Sequence, residues 1–323
     1  MYQMKKASAP GKCIIIGEHA VVYGYQCLVT AVNQRIFVRL EPTDSMFVVS
    51  SPDIGVSIYK KEMKDLGKGE IPKNVQFVEK AVQIISKKYP QTGGLHITIK
   101  SDFSSRLGFG SSSAVSVAVI KAVTRLFDIS LSQQELFDIS YKTILAIQKK
   151  GSGFDVAAAI YGGTVFFVSG GKRIEQLKVN PLPLLVGYSG HKADTVSLMN
   201  EVNKKWKNDK NGLGKIYKQI AMLVDNAKIA LQEDDLLQLG KLMSQNQTLL
   251  VELGVSTGKL DAMVKSARDA GAYGAKLSGA GGGDCMIALA GASEKKKVTS
   301  AIKHAGGEII AVRTHAEGVR VEV

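Results

Sequence analysis

RLGFGSSSAVSVAVIKAVTRLF, residues 106–127, passes from a Gly/Ser loop into a run of Ala, Val and Ile that is typical of a buried helix. The loop therefore lies at the amino end of the helix, where unpaired backbone amides and the helix dipole favour an anion. Gly108 and Gly110 allow an anion to approach the backbone closely because they carry no side chain. The stretch predicts an anion-binding loop built on the first turn of a helix.

Three serines follow the second glycine of this loop. The hydroxyls of Ser111, Ser112 and Ser113 can add hydrogen bonds or a metal ligand to the backbone amides. The loop lacks the GKS/T ending of a Walker loop, and its glycines do not follow the dinucleotide-binding spacing. Taken alone, the segment is equally compatible with a flexible turn that caps the helix.

The composition is that of a globular protein with a large core. The chain has 323 residues, 45% of them apolar, and its 42 Lys and Arg against 29 Asp and Glu give a net charge of +13. The apolar stretch at residues 114–120 is too short to span a bilayer, and the run at residues 13–16 is too short for a secretion signal. We therefore expect a cytoplasmic protein.

The basic residues are spread over several segments and do not form a stripe with interleaved aromatic residues. The charge therefore predicts an attraction for anionic small molecules, with no nucleic-acid or membrane partner. Cys13, Cys27 and Cys285 are far apart and have no CxxC spacing, so buried thiols are expected rather than disulfides or a zinc site.

Hydrophobic periodicity predicts alternating strands and helices in the first half of the chain and long helices in the second. Ser132 with Glu135 three residues later is the pattern of a capping box and opens a helix. Besides the helix that ends near residue 127, the predicted helices cover residues 72–88, 132–148, 213–232, 236–253, 257–270 and 293–305. The predicted strands include residues 35–40, 46–51, 94–100, 163–168 and 284–289.

A boundary between two domains is predicted at NPLPLL, residues 180–185, which holds two of the seven prolines in the chain. We place the first domain at residues 1–182 and a second, α+β domain at residues 183–323.

A second glycine-rich segment, KLSGAGGGDC at residues 276–285, has four glycines in five positions before a predicted strand. Such a segment is costly to order, so a ligand close to the backbone explains it better than a tight crossover between packed elements. A third segment, GSGFD, brings Asp155 to a loop-to-helix junction. There the carboxylate either faces a pocket or caps the helix.

Near the amino end, PGK is followed by GEHAVVYG, which brings Lys12, Glu18 and His19 within eight positions. Together these residues predict a polar pocket lip. Taken individually, Lys12 could instead be a surface lysine and His19 a hydrogen-bonded histidine of the core.

The ordered set PGKCIIIGEHAVVYG, RLGFGSSSA, GSGFD and KLSGAGGGDC, which covers nearly the whole chain, resembles the GHMP small-molecule kinase superfamily. It is most similar to the mevalonate kinase branch of archaeal type. The resemblance implies an α+β fold: an N-terminal α/β domain with a left-handed βαβ unit and a C-terminal ferredoxin-like α+β domain. It implies ATP-dependent phosphorylation of the 5-hydroxyl of mevalonate, giving 5-phosphomevalonate and ADP.

The resemblance also implies roles for individual residues. Asp155 would be the catalytic aspartate, and Lys12 the lysine beside it. Ser112 would lie near Mg²⁺. The ATP phosphates would be held by Gly108, Gly110, Ser111, Ser112 and Ser113, and the acceptor by Glu18, His19, Gly281 and Gly282. The expected partners are thus ATP, Mg²⁺ and a small-molecule substrate, and a homodimer is compatible with the sequence.

Three departures from the family pattern are visible. Phe109 stands where the loop usually has leucine, which should leave a cradle made of backbone amides intact. Ile144 stands eleven positions before Asp155, where mevalonate kinases generally carry a metal-binding glutamate. The stretches GSGFDVAAAIYG and GGGDC are more similar to phosphomevalonate kinase.

These departures keep two other functions open. A phosphomevalonate kinase would need extra cations for a second phosphate group, and Lys149 and Lys150 are candidates, although both also suit a solvated helix end. A catalytically silent metabolite sensor would explain the missing glutamate, but it would not need both Lys12 and Asp155. We favour mevalonate as the acceptor because GEHAVVYG lies where the substrate would bind.

Overall fold

Two β-sheets organise the chain in a computed structural model, which describes residues 4–322. The first sheet has eight strands and the second has four. The first contains β1 Lys5–Ile16, β2 Gln26–Thr43, β3 Met46–Ser51, β4 Val56–Glu62, β5 Gly94–Ser101, β6 Thr164–Val168, β7 Arg173–Leu177 and β12 Arg320–Glu322. The second contains β8 Leu184–Tyr188, β9 Gly274–Ser278, β10 Cys285–Leu289 and β11 Glu308–Ile310.

The helices follow the same division. The first half contains α1 Gln76–Lys88, α2 Ser111–Leu126, α3 Gln133–Gln148 and α4 Phe154–Tyr161. The second half contains α5 Thr195–Lys205, α6 Lys210–Gln232, α7 Leu236–Leu253, α8 Gly258–Asp269 and α9 Lys295–His304. No helix within residues 4–322 is both long enough and apolar enough to cross a bilayer.

The first sheet is built around the long strand β2. One edge of β2 pairs with β1, whereas the other pairs with β6 near its start and with β5 near its end. The strand order β12-β1-β2-β5-β3-β4 is antiparallel except between β3 and β5, which are parallel.

Helix α2 is the central helix of this half and packs against β1, β2 and the three other helices of the first half. Small and β-branched residues cover nearly all of its surface, and a helix that is apolar on all sides is stable only when it is buried. Its amino end is fixed against β1, because the amide of Lys12 donates to the carbonyl of Phe109 over 3.1 Å. This packing sets where the Gly/Ser loop lies.

The second sheet is fully antiparallel in the order β11-β8-β10-β9. Along the chain, the first strand of this sheet is followed by helices, two strands, a helix and the last strand. This order, with the first and third strands in the centre of the sheet, is the ferredoxin-like arrangement. Its strands come from residues 184–310, whereas β12 returns to the first sheet beside β1. The division into domains 1–182 and 183–323 stays a prediction.

Most predicted elements are confirmed within one or two residues at their ends, and α7 has the predicted bounds. The capping box of Ser132 and Glu135 is present at the start of α3. All three cysteines are free and buried, and burial raises the pKa of the Cys13 thiol to about 12. The prediction did not include α5, β4, β7, β8 or β9, and four of these five are strands of only five to seven residues. The strand predicted at residues 35–40 is only the middle of β2, and α1 begins at Gln76 rather than at residue 72.

Arg35 on β2 joins the carboxyl-terminal segment to the first sheet. Its buried guanidinium donates to the hydroxyl and carbonyl of Ser8 and to the carbonyls of Glu317 and Gly318, over 2.7 to 3.1 Å. Hydrogen bonds from a charged donor are stronger than neutral ones, and buried acceptors that lose their donor are costly.

We expect Arg35→Met to lower the free energy of unfolding by about 3 kcal/mol, because four hydrogen bonds of a buried charge are lost. Urea unfolding monitored by circular dichroism measures this change. The matched control is Arg39→Met, which removes an exposed ion pair with Glu41 and should cost less than about 1 kcal/mol. Equal losses for the two variants would contradict the role of Arg35.

Candidate active site

An ion pair between Lys12 and Asp155 lies at the centre of the candidate site. Lys12 comes from β1, and Asp155 is the second residue of α4. The Nζ atom of Lys12 is 3.0 Å from Oδ1 of Asp155 and donates to the carbonyl of Gly108, also over 3.0 Å. Three separate segments of the sequence therefore meet at one ammonium group.

The Lys12 side chain is only 7% exposed, whereas that of Asp155 is 34% exposed. Burial alone would lower the pKa of Lys12, but the charge of Asp155 and the hydrogen bond to it outweigh burial and raise this pKa. Lys12 is therefore a fixed positive charge at neutral pH. The Phe154 ring, whose centroid is 4.9 Å from Nζ, covers the ammonium group.

Asp155 does not cap its helix. The N-cap of α4 is Gly153, and no side chain forms a capping hydrogen bond there. The carboxylate instead pairs with Lys12, which favours the pocket-facing alternative that the sequence left open.

The Gly/Ser loop presents free backbone amides to this ion pair. Among residues 4–322, no partner accepts a hydrogen bond from the amides of residues 108–112, and no side chain caps α2. The amide of Ser113, in contrast, donates to the carbonyl of Gly110 over 3.1 Å, and Ser113 is buried. These free amides lie at the positive end of the α2 dipole, which is where the sequence predicts an anion site.

Gly110 brings the loop and the ion pair into contact. Its φ of +74° is in the left-handed region, and a methyl group placed on it would come 3.3 Å from both Asp155 Oδ1 and Lys12 Cε. The Phe109 side chain is buried, and its ring centroid lies 5.7 Å from that of Phe103. That phenylalanine leaves the cradle of backbone amides intact stays a prediction.

The second glycine-rich loop approaches the first from the other sheet. The amide of Gly282 donates to the carbonyl of Val255 over 2.8 Å, and a Cβ on Gly281 would collide with the same carbonyl. Gly281 and Gly282, which the family resemblance assigns to binding of the phosphoryl-acceptor substrate, are thus held against the segment that follows α7. Beyond them, the Asp284 carboxylate lies against Gly108, with Oδ2 3.1 Å from where a Cβ would stand.

Asp284 was not among the predicted site residues. Its Oδ1 accepts a hydrogen bond from the amide of Ala193 over 3.0 Å, and burial raises the pKa of its carboxyl group. The departure GGGDC from the usual glycine pattern was the available signal, but only the folded chain brings this carboxylate to the Gly/Ser loop.

Glu18 and His19 are both buried between the two sheets. Glu18 forms an ion pair with Lys276 of β9. The Nε2 atom of His19 is 2.6 Å from the carbonyl of Ala280 in the second glycine loop, and burial lowers the pKa of the imidazole. His19 also has a φ of +60°, a strained value for a residue with a side chain, and such strain is often found at functional sites.

Two family models match this chain. The model of the GHMP kinases N terminal domain matches residues 76–163, and the model of the GHMP kinases C terminal matches residues 227–308. Mevalonate kinase of Pyrococcus abyssi is 36% identical over 100% of this chain and 99% of its own length. This chain belongs to the GHMP kinase family.

Solved structures extend the comparison. The crystal structure of L. major mevalonate kinase in complex with R-mevalonate is 26% identical to this GHMP kinase, with a TM-score of 0.79 and coverage of 97% and 96% of the two chains. The Streptococcus pneumoniae phosphomevalonate kinase is 20% identical, with a TM-score of 0.80 and coverage of 96% and 99%. At that identity the second comparison indicates a shared fold alone.

Mg²⁺ is the metal that membership of the GHMP kinase family implies. No group of three His, Cys, Asp or Glu side chains within residues 4–322 could hold a metal, and Ile144 is a buried apolar residue. The Ser112 hydroxyl, however, forms no hydrogen bond in this part of the chain, and the carboxylates of Asp155 and Asp284 border its loop. These oxygens fit Mg²⁺, which commonly binds through nucleotide phosphates and few protein ligands.

We expect Gly110→Ala to reduce turnover by about tenfold, because the added methyl group, 3.3 Å from both Asp155 Oδ1 and Lys12 Cε, forces a small shift of the ion pair relative to the loop. Steady-state kinetics with a nucleotide and an acceptor measures the loss.

The matched control for this variant is Gly170→Ala. Gly170 has a similar φ of +76°, but nothing lies within 4 Å of the position of its Cβ. Both variants should lose about 1 kcal/mol of stability from backbone strain, and only the first should lose turnover. Normal turnover by Gly110→Ala would contradict the contact.

Proposed function

We propose that this GHMP kinase transfers the γ-phosphoryl group of ATP to the 5-hydroxyl of mevalonate, giving 5-phosphomevalonate and ADP. The observation that carries the proposal is the Lys12–Asp155 ion pair beside a loop whose amides at residues 108–112 have no hydrogen-bond acceptor within residues 4–322. Phosphoryl transfer depends mainly on alignment and charge neutralisation, and this arrangement supplies both. The chain is an ATP-dependent phosphotransferase.

The loop residues and Asp155 would have different roles in the transfer. The amides of Gly108, Gly110, Ser111 and Ser112 would hold the phosphates, and Ser113 would support the loop from within the helix. Asp155 would orient the acceptor hydroxyl and take its proton as the oxygen bonds to the γ-phosphorus and the bond to the β–γ bridging oxygen breaks.

Lys12 contributes in two ways to this step. Its fixed positive charge would offset negative charge on the transferred phosphoryl group, and it holds Asp155 in place through the 3.0 Å ion pair. Mg²⁺, held by Ser112 and the phosphates, would supply further charge neutralisation when bound.

The acceptor would bind between the two sheets, near Glu18, His19, Gly281 and Gly282. The high identity to mevalonate kinases over the full length of the chain supports mevalonate as the acceptor. Lys149 and Lys150, the candidate cations for a second phosphate group, are exposed at the end of α3, where a solvated position explains them. Phosphomevalonate is therefore the weaker alternative.

A catalytically silent sensor is not favoured, because it would not require the buried ion pair. A cytoplasmic location and a homodimeric assembly stay predictions from the sequence.

Parallel assays of ATP turnover with mevalonate and with phosphomevalonate test the proposal. We expect rapid formation of ADP with mevalonate and at least about tenfold lower kcat/KM with phosphomevalonate. The two buried cations of the site, Lys12 and Lys276, are each already paired with a carboxylate and would not be available for a second phosphate group. The reverse preference would support a phosphomevalonate kinase. The absence of turnover with either acceptor would contradict a mevalonate-pathway kinase.

Asp155→Asn should lower kcat by about a thousandfold, because an amide cannot accept the hydroxyl proton. The dissociation constant for ATP, measured by titration calorimetry, should change by less than about twofold, since the phosphates are held by backbone amides. Asp138→Asn, at an exposed position on α3, is the control and should have normal turnover. Near-normal kcat in Asp155→Asn would contradict the assigned role.

A further inference from the structure

Lys276 and Glu18 form a buried ion pair that connects the two sheets. Glu18 follows β1 of the first sheet, and Lys276 lies in β9 of the second. Both side chains have almost no exposure to solvent. The ammonium group donates to Oε1 of Glu18 and also to the carbonyl of Leu277.

The second carboxylate oxygen of Glu18 is left without a partner. Oε2 is buried and accepts no hydrogen bond from any residue in the described range. A buried ion pair is seldom more stable than apolar residues of similar volume, and an unpaired buried oxygen adds a further cost. Stability therefore does not explain why the pair is present or why Oε2 is unpaired.

The position of Glu18 connects it to the reacting groups. Lys12 is close enough for its charge to lower the pKa of Glu18, although burial is the larger effect and raises it. Negative and positive side chains therefore alternate from the reacting end of the site into the interface between the sheets, in the order Asp155, Lys12, Glu18, Lys276. His19, next in sequence, contacts the second glycine loop through Ala280.

We infer that Lys276 is a positioning residue for acceptor recognition, which holds Glu18 ionised and turned so that Oε2 accepts a hydrogen bond from a hydroxyl group of the acceptor. The inference rests on the proposed function, which places the acceptor beside Glu18. It adds a residue that would not touch the acceptor itself.

A neutral donor suits this oxygen better than a cationic one. Lys276 already balances the charge of Glu18, so a further ammonium group would bring an uncompensated charge into a buried region. An ionised carboxylate can only accept hydrogen bonds. A hydroxyl group supplies a donor without charge, and a polyhydroxy acid has one available besides the hydroxyl that is phosphorylated.

Lys276→Met tests the inference, since methionine keeps much of the stem volume and removes the charge. The expected result is a rise of about tenfold or more in the KM for the acceptor, with the KM for ATP and kcat each within about twofold of the wild type. Titration calorimetry with mevalonate should show the same loss of affinity.

The matched control is Lys61→Met. Lys61 of β4 forms an ion pair over 2.8 Å with Glu79 of α1, whose carboxylate is as buried as that of Glu18. This variant should also be less stable than the wild type, but its acceptor KM should not change. Equal acceptor KM values for Lys276→Met and the wild type would overturn the inference.

The pH profile separates positioning from a general loss of structure. Without Lys276, burial raises the pKa of Glu18 further, so acceptor affinity in Lys276→Met should increase as the pH rises and Glu18 loses its proton. In the wild type the same increase in acceptor affinity should occur at lower pH, because the charge of Lys276 lowers the pKa of Glu18. The titratable groups that interact with Glu18 are Lys276 from β9, Lys12 from β1 and Cys27 from β2.

The double variant Glu18→Gln/Lys276→Met provides the comparison if the single variant does not fold, because it replaces the ion pair by a neutral pair. It should fold, show a raised acceptor KM and lack the pH-dependent recovery. Wild-type acceptor KM in the double variant would overturn the inference. Failure of the wild-type chain to phosphorylate mevalonate would instead contradict the proposed function, so the two failures are distinguishable.

Discussion

The ion pair between Lys12 and Asp155 is the interaction on which the site depends. A buried ammonium group is costly to desolvate, and it is stable here because a carboxylate and the Gly108 carbonyl both lie 3.0 Å away. These partners come from α4 and from the loop before α2. The packing of α2 against β1 and α4 therefore determines whether the loop amides and the carboxylate lie side by side.

The second sheet reaches this centre through one strand–loop–strand unit, residues 274–289. Besides the Lys276–Glu18 pair, the unit contributes a hydrogen bond from the Ser278 hydroxyl to the Ile14 carbonyl over 2.9 Å and one from the Cys285 thiol to the Leu107 carbonyl over 3.2 Å. The contacts are polar and specific, which suits an interface that positions a ligand. Asp284, beside Gly108, belongs to the same unit.

Much of the fold could be predicted from the sequence, because local signals determined it. The change from glycine and serine to an apolar run defined the start of α2, and strong periodicity gave the bounds of α7. The proximity of Lys12 and Asp155 came from family resemblance rather than from any local pattern. Lys276 and Asp284 could not be placed, because each meets a partner more than a hundred residues away, and only packing of the sheets makes that contact.

A double-mutant cycle on Lys12 and Asp155 tests the central claim most directly, with kcat/KM for phosphorylation of mevalonate as the readout. If the two residues act as one unit, kcat/KM of the double variant Lys12→Met/Asp155→Asn should be no more than about tenfold below that of the more damaging single variant. If the losses of the two single variants multiply in the double variant, the residues act independently. That result would contradict the account.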